Sequence, residues 1–247
     1  MKKLVFVVVS LAFLIGLSSV QIFVNPVELG VDNNSLSLCK EIVTPNCSLS
    51  EGEIESIAIM HNKILPSAVK NMRGKDLEEL HASYVNYLKV NHPDGYEYFN
   101  LDVSFTQELF TFDVTQFTFL RGFTRDFREA TQSAIDFVLK ANSIEELNAN
   151  LDRLIKGLQG ELDACEFMAL QVFVAVAKES AVYWSGVSNN SRWSFGKFIA
   201  ADALGAYGGF LNSAVLAPVP GANAAIAGAA AFGAVWGSAS YSLLSSG

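Results

Sequence analysis

Apolar residues recur at helical spacing through most of the chain, and polar capping residues mark where each run begins. Ser48-x-x-Glu51 and Ser50-x-x-Glu53 both have the spacing that lets a hydroxyl and a carboxylate satisfy a helix's first N–H groups. Ile54, Ile57, Ala58, Met60 and Ile64 then follow on one face, and Pro66 is expected to kink or end that helix. A second helix is predicted from about Lys75 to Val90, with the stripe Leu77, Leu80, Tyr84, Tyr87 and Leu88, and the Asn91 to Gly95 segment stops it in a turn. Leu101 to Val114 alternates like a strand, yet Ser104-x-x-Gln107 has a capping spacing and no partner strand is evident, so it is assigned as helix. Phe117, Leu120, Phe123, Phe127, Ala130, Ala134 and Phe137 step along one helical face. Ser143-x-x-Glu146 opens a further helix carrying Leu147, Leu151, Leu154, Ile155 and Leu158. The segment from about Glu161 to Trp184 is apolar nearly all round between Phe167 and Ala177, the pattern of a helix at the centre of a bundle. Ser185 to Arg192 reads as a linker.

The last 50 residues, from Phe198 to Gly247, change character. Asp202 is their only charged side chain, and 29 of the 50 are Gly, Ala or Ser. Two apolar arms, Phe198–Leu216 and Ala224–Leu244, flank a turn containing Pro218, Pro220 and Gly221, so a sharp reversal is expected. Each arm would be about 30 Å long as a helix, close to the thickness of a hydrocarbon core. Small residues recur every four positions: Ala201, Gly205, Gly209, Ser213 and Ala217 in one column, and Gly221, Ala225, Ala229, Gly233 and Gly237 in the other. A four-residue step keeps such a column on one helix face, where missing side-chain bulk lets two backbones approach closely. Asp202 is expected at the headgroups if the arm enters a membrane, and as a surface or capping carboxylate otherwise.

The other end reads as an export signal. Lys2 and Lys3 precede an uncharged run from Leu4 to Leu17, and Gly16, Ser18 and Ser19 supply small residues for a peptidase. The run is too short to span a bilayer, which favours cleavage over anchoring. Cys39 and Cys47 lie in a polar stretch where an oxidising compartment could close them into a disulfide loop, the alternative being two unpaired thiols. Cys165 sits in an apolar helical segment and is assigned to the core. Formal net charge is −8, with no cluster of Lys and Arg, which excludes nucleic acid as a partner.

The Gly205-x-x-x-Gly209 and Gly233-x-x-x-Gly237 columns, in a tail almost without charge, resemble the glycine-zipper region of class II bacteriocin-like peptides. His61-Asn62, Tyr183-Trp184 after Ser180, and the run from Trp193 through Asp202 and Gly205-Ala206 resemble secreted bacterial proteins with a helical N-terminal region and such a tail. The resemblance implies a bacterial source and a membrane-active hairpin.

Chemistry-bearing patterns are sparse. Glu78-x-x-His81 has the spacing used by di-iron bundles, but no second Glu-x-x-His exists, and His61 and His92 would join it only through a particular fold. His61-Asn62 reads either as a polar pair on an amphipathic helix or as a buried hydrogen bond tying helices together. Nucleophile elbows, phosphate loops and Cys-x-x-Cys are missing, so no catalytic, metal or cofactor residue is assigned. The expectation is an all-α chain: signal peptide 1–19, extended arm 20–50, helical bundle 51–192 and glycine-zipper hairpin 193–247. The leading function is that of an exported, non-enzymatic, extracellular or envelope protein whose residues 198–244 meet a lipid bilayer and self-associate. The alternative is a secreted helical binding or structural module with the hairpin packed into a soluble core. A metal-dependent enzyme using His61, Glu78 and His81 is a third.

Overall fold

A computed structural model of the chain describes residues 49–99, 101–187, 196–214 and 221–245. The signal peptide, the Cys39–Cys47 loop, nearly all of the arm, residues 188–192 of the linker, and Pro218 and Pro220 of the reversal lie outside them. Among the described residues the chain is all-α, with eight α-helices, three short 3-10 turns and no strand.

Helix α1 (Glu51–Asn71) starts at the second of the two expected caps: Ser50 Oγ accepts from Glu53 N, and the Glu53 carboxylate accepts from Ser50 N at 2.6 Å. It runs through Pro66 instead of ending there. Ile64, Leu65 and Ala68 are buried on either side of the proline, and their packing offsets the missing hydrogen bond. Helix α2 (Leu77–Asn91) is capped by Asp76. Helix α3 (Val103–Leu109) is shorter than expected and uses Asp102, not Ser104, as its cap, accepting from Phe105 N at 2.7 Å.

The expected continuous helix from Phe117 is replaced by 3-10 turns at Val114–Gln116 and Thr118–Leu120, and α4 (Arg125–Lys140) begins only behind Thr124. The cause is local. Asp113 accepts from Thr115 N, and Glu108 from Thr118 N and Oγ1, so side chains satisfy backbone groups that a helix would otherwise bond. Phe117, Leu120 and Phe123 are still buried, which is why their spacing mimicked a helix face. Helix α5 (Ile144–Leu158) starts at Ser143 as predicted, and α6 (Ala164–Val187), α7 (Gly196–Ser213) and α8 (Asn223–Ser245) follow.

The centre belongs to the hairpin α7–α8 more than to α6. Every residue from Ile199 to Leu211 is buried, and so is every residue from Ile226 to Ser240 except Gly228. Helices α3, α4 and α6 pack against α7, and α1 and α2 against α8, so hairpin and shell share one hydrophobic core. Helix α6 is itself well buried through Leu170, Val172, Phe173 and Val176. The hairpin lies deeper because its small residues let its two arms occupy the space of little more than their backbones.

Each arm has two distinct sides. Small residues face the other arm, whereas the bulky ones face the shell. Trp236 of α8 is fully buried, stacks on Tyr84 with ring centroids 5.6 Å apart, and donates through Nε1 to Thr106 Oγ1 at 2.6 Å. Tyr84 Oη donates to the carbonyl of Phe232 at 2.9 Å. On α7, Tyr207 lies between Phe127 and Phe173 and shares a 3.0 Å hydrogen bond with Thr131 Oγ1. Burial holds the Tyr84 and Tyr207 phenols well above their ordinary range. In an absorbance titration these two are expected to ionise only together with unfolding. Their contribution to stability is complete below the unfolded value of about 10 and is lost as pH rises beyond it.

Candidate functional site

The paired columns meet in register. A methyl group added at Gly205 would fall on the carbonyl oxygen of Gly233 and lie 2.8 Å from its carbonyl carbon. One added at Gly209 would fall on the Ala229 carbonyl, one at Gly233 on that of Gly205, and one at Gly237 on that of Ala201. Four residues up α7 thus match four residues down α8, as in an antiparallel zipper. Ser213 is buried with its hydroxyl folded back onto the carbonyls of Gly209 and Phe210. Ala225 is half-buried on α8, and Gly221 precedes that helix in the turn, with φ +82. Gly208 lies outside both predicted columns. A methyl there would strike the ring of Phe105, so this glycine seats α3 on the hairpin.

A second constellation ties the hairpin to the shell. Asp202 of α7 is fully buried, neither at the surface nor capping a helix as expected. Ser180 and Trp184, four residues apart on α6, face it: Ser180 Oγ donates to Asp202 Oδ2, and Trp184 Nε1 donates to the same oxygen at 3.0 Å. From α1, fully buried His61 places Nε2 3.2 Å from Asp202 Oδ1, close enough for an ion pair but off the hydrogen-bonding direction. The other imidazole nitrogen, Nδ1, lies 2.9 Å from Asn62 Oδ1, and Asn62 Nδ2 donates to the carbonyl of Glu179 on α6 at 3.2 Å. The buried-hydrogen-bond alternative for His61-Asn62 is the one found. A carboxylate taken out of water needs such partners, since an unpaired buried charge costs several kcal/mol.

Ser180 is bonded to the carboxylate and not to the imidazole, so the arrangement lacks the nucleophile–base contact on which serine catalysis relies. The residues of the metal reading are scattered. His81 Nε2 donates to the carbonyl of Leu101 at 2.8 Å and its ring meets Trp236 edge-on, while Glu78 is exposed. His92 rests between Tyr87 and Phe232, where burial holds its imidazole below the ordinary value. Among the described residues no three His, Cys, Asp or Glu side chains converge as a metal site would require.

Sequence reasoning missed one further buried carboxylate. Glu166 near the start of α6 accepts from Thr124 N at 2.8 Å and from Thr124 Oγ1 at 2.9 Å, fastening the first turn of α4. The signal for Asp202 was available: one acid in an otherwise uncharged tail needs a partner once the tail is buried. For Glu166 the sequence carried no comparable signal. Among the described residues no helix is long and apolar enough to cross a membrane. Comparison with protein-family models, with curated proteins and with solved structures gives no match to this chain.

Proposed function

We propose that this chain is an exported helical module, extracellular or in the cell envelope, that acts by binding or by structural support and not by catalysis. Its Gly/Ala hairpin serves as the module's own core. The observation that carries this reading is the enclosure of both arms: their small faces are spent on each other and their bulky faces on the shell. Buried Asp202 supports it as well, because a carboxylate matched to His61, Ser180 and Trp184 has its partners in the protein and none in lipid. Export rests on the N-terminal basic and apolar run.

The membrane-active, bacteriocin-like hairpin is the second reading. It is favoured by α8, where 23 residues carry no charged side chain, and in this arrangement it requires the hairpin to leave the shell first. Flotation with liposomes separates the two readings. The full-length protein is expected to stay with the aqueous fraction and to release no dye. A chain truncated after Arg192 is expected to lose its cooperative thermal transition, because the shell helices then lose the hairpin that completes their shared core. Binding and dye release by the full-length protein, absent from the truncated one, would instead establish the hairpin as a membrane effector.

A further inference from the structure

The contacts around His61 fix its proton count. Asn62 can approach the Glu179 carbonyl only with its amide NH2, so its Oδ1 is the atom facing His61 Nδ1. An amide oxygen only accepts, and Nδ1 therefore carries a hydrogen. In a neutral ring the other nitrogen would then be a bare acceptor, and Nε2 would lie 3.2 Å from Asp202 Oδ1, off the hydrogen-bonding direction, with both residues fully buried. Two acceptors sealed together repel. A proton between them turns the same contact into an attractive pair.

We propose that His61 and Asp202 form a proton-dependent latch: one proton held between Nε2 and Oδ1 fixes hairpin helix α7 to shell helix α1, and its loss loosens the hairpin. The proposal goes beyond the reading of the chain as a module with a buried hairpin, because it assigns a condition under which that burial weakens. Among the described residues no other acid, lysine, arginine or histidine is shown at the contact. On α1 the remaining acids and lysines are exposed or half-buried at the surface. On α6, Lys178 is paired with Asp152, Glu179 contributes its carbonyl, and Tyr183 is held above its ordinary range by burial and by the Asp202 charge. On α7, Lys197 is exposed, and α8 has no ionisable side chain but Tyr241, whose ring lies against Phe198.

Stabilisation by a bound proton is present while the proton is held and disappears as rising pH removes it. The test uses the full chain. Nitrogen NMR of the His61 ring in the folded chain is expected to show both nitrogens protonated. Hydrogen exchange of the α7 amides from Ile199 to Leu211, corrected for intrinsic rates, is expected to lose at least about tenfold protection once the ring has given up that proton. Amides of α5, which does not touch the latch, should change less. In His61→Gln the pH dependence at α7 should vanish. If that variant does not fold, the comparison of α7 with α5 in the unmodified protein decides. A ring with a single protonated nitrogen, or α7 protection that follows α5 at every pH, overturns the latch.

Discussion

Replacing Gly205 by alanine is expected to lower stability by about 3 kcal/mol, although alanine is the better helix former. The added methyl would land on the Gly233 carbonyl, a backbone atom that no rotamer change can move aside. The two arms must therefore separate, and separation breaks the same close contact at Ala201–Gly237 and Gly209–Ala229. In a chain of this size the melting temperature should fall by roughly 6–12 °C. The sign makes the test decisive. Gly157 near the end of α5 has nothing within 4 Å of an added methyl, so Gly157→Ala should be neutral or stabilise by up to about 1 kcal/mol. If Gly205→Ala behaves like Gly157→Ala, the arms do not meet in this register.

The second large effect is expected at Asp202. Asp202→Ala removes the acceptor of Ser180 and Trp184 and the counter-charge of His61 at one stroke, so two fully buried residues and one half-buried one lose that carboxylate. The cost should be about 3–5 kcal/mol by chemical denaturation. Replacing His61 and Asp202 together by leucine should cost less than the sum of the two single changes, because neither residue is then left alone in the core. A loss below about 1 kcal/mol for Asp202→Ala would mean that the carboxylate does not anchor the hairpin.

Much of the helical order was legible because periodicity and capping agree. Ser50 and Ser143 cap where their spacing to Glu53 and Glu146 said they would. The four-residue columns marked the faces through which the arms meet, whereas the register of Ala201, Gly205 and Gly209 against Gly237, Gly233 and Ala229 came only with the structure. What periodicity could not supply was competition between local bonds. Asp102 displaced Ser104, and Asp113 and Glu108 held the chain in short turns where the phenylalanine spacing suggested a helix. The second gap concerns partners distant in the chain. Nothing near Asp202 names His61, and nothing near Glu166 names Thr124, because tertiary packing alone brings those elements together. Gly208 shows the same limit, since its purpose depends on a ring contributed by α3.

The position of the core helices within the chain has a consequence for synthesis. The shell helices α1 to α6 all precede the hairpin they enclose, and contacts such as Asn223 with Glu53 join positions 170 residues apart. While the ribosome is still adding α7 and α8, the apolar faces that the hairpin will cover have nothing to close upon, although α1 and α5 can already meet α6. The chain therefore completes its fold late, and until then it presents the exposed surface that holding chaperones recognise.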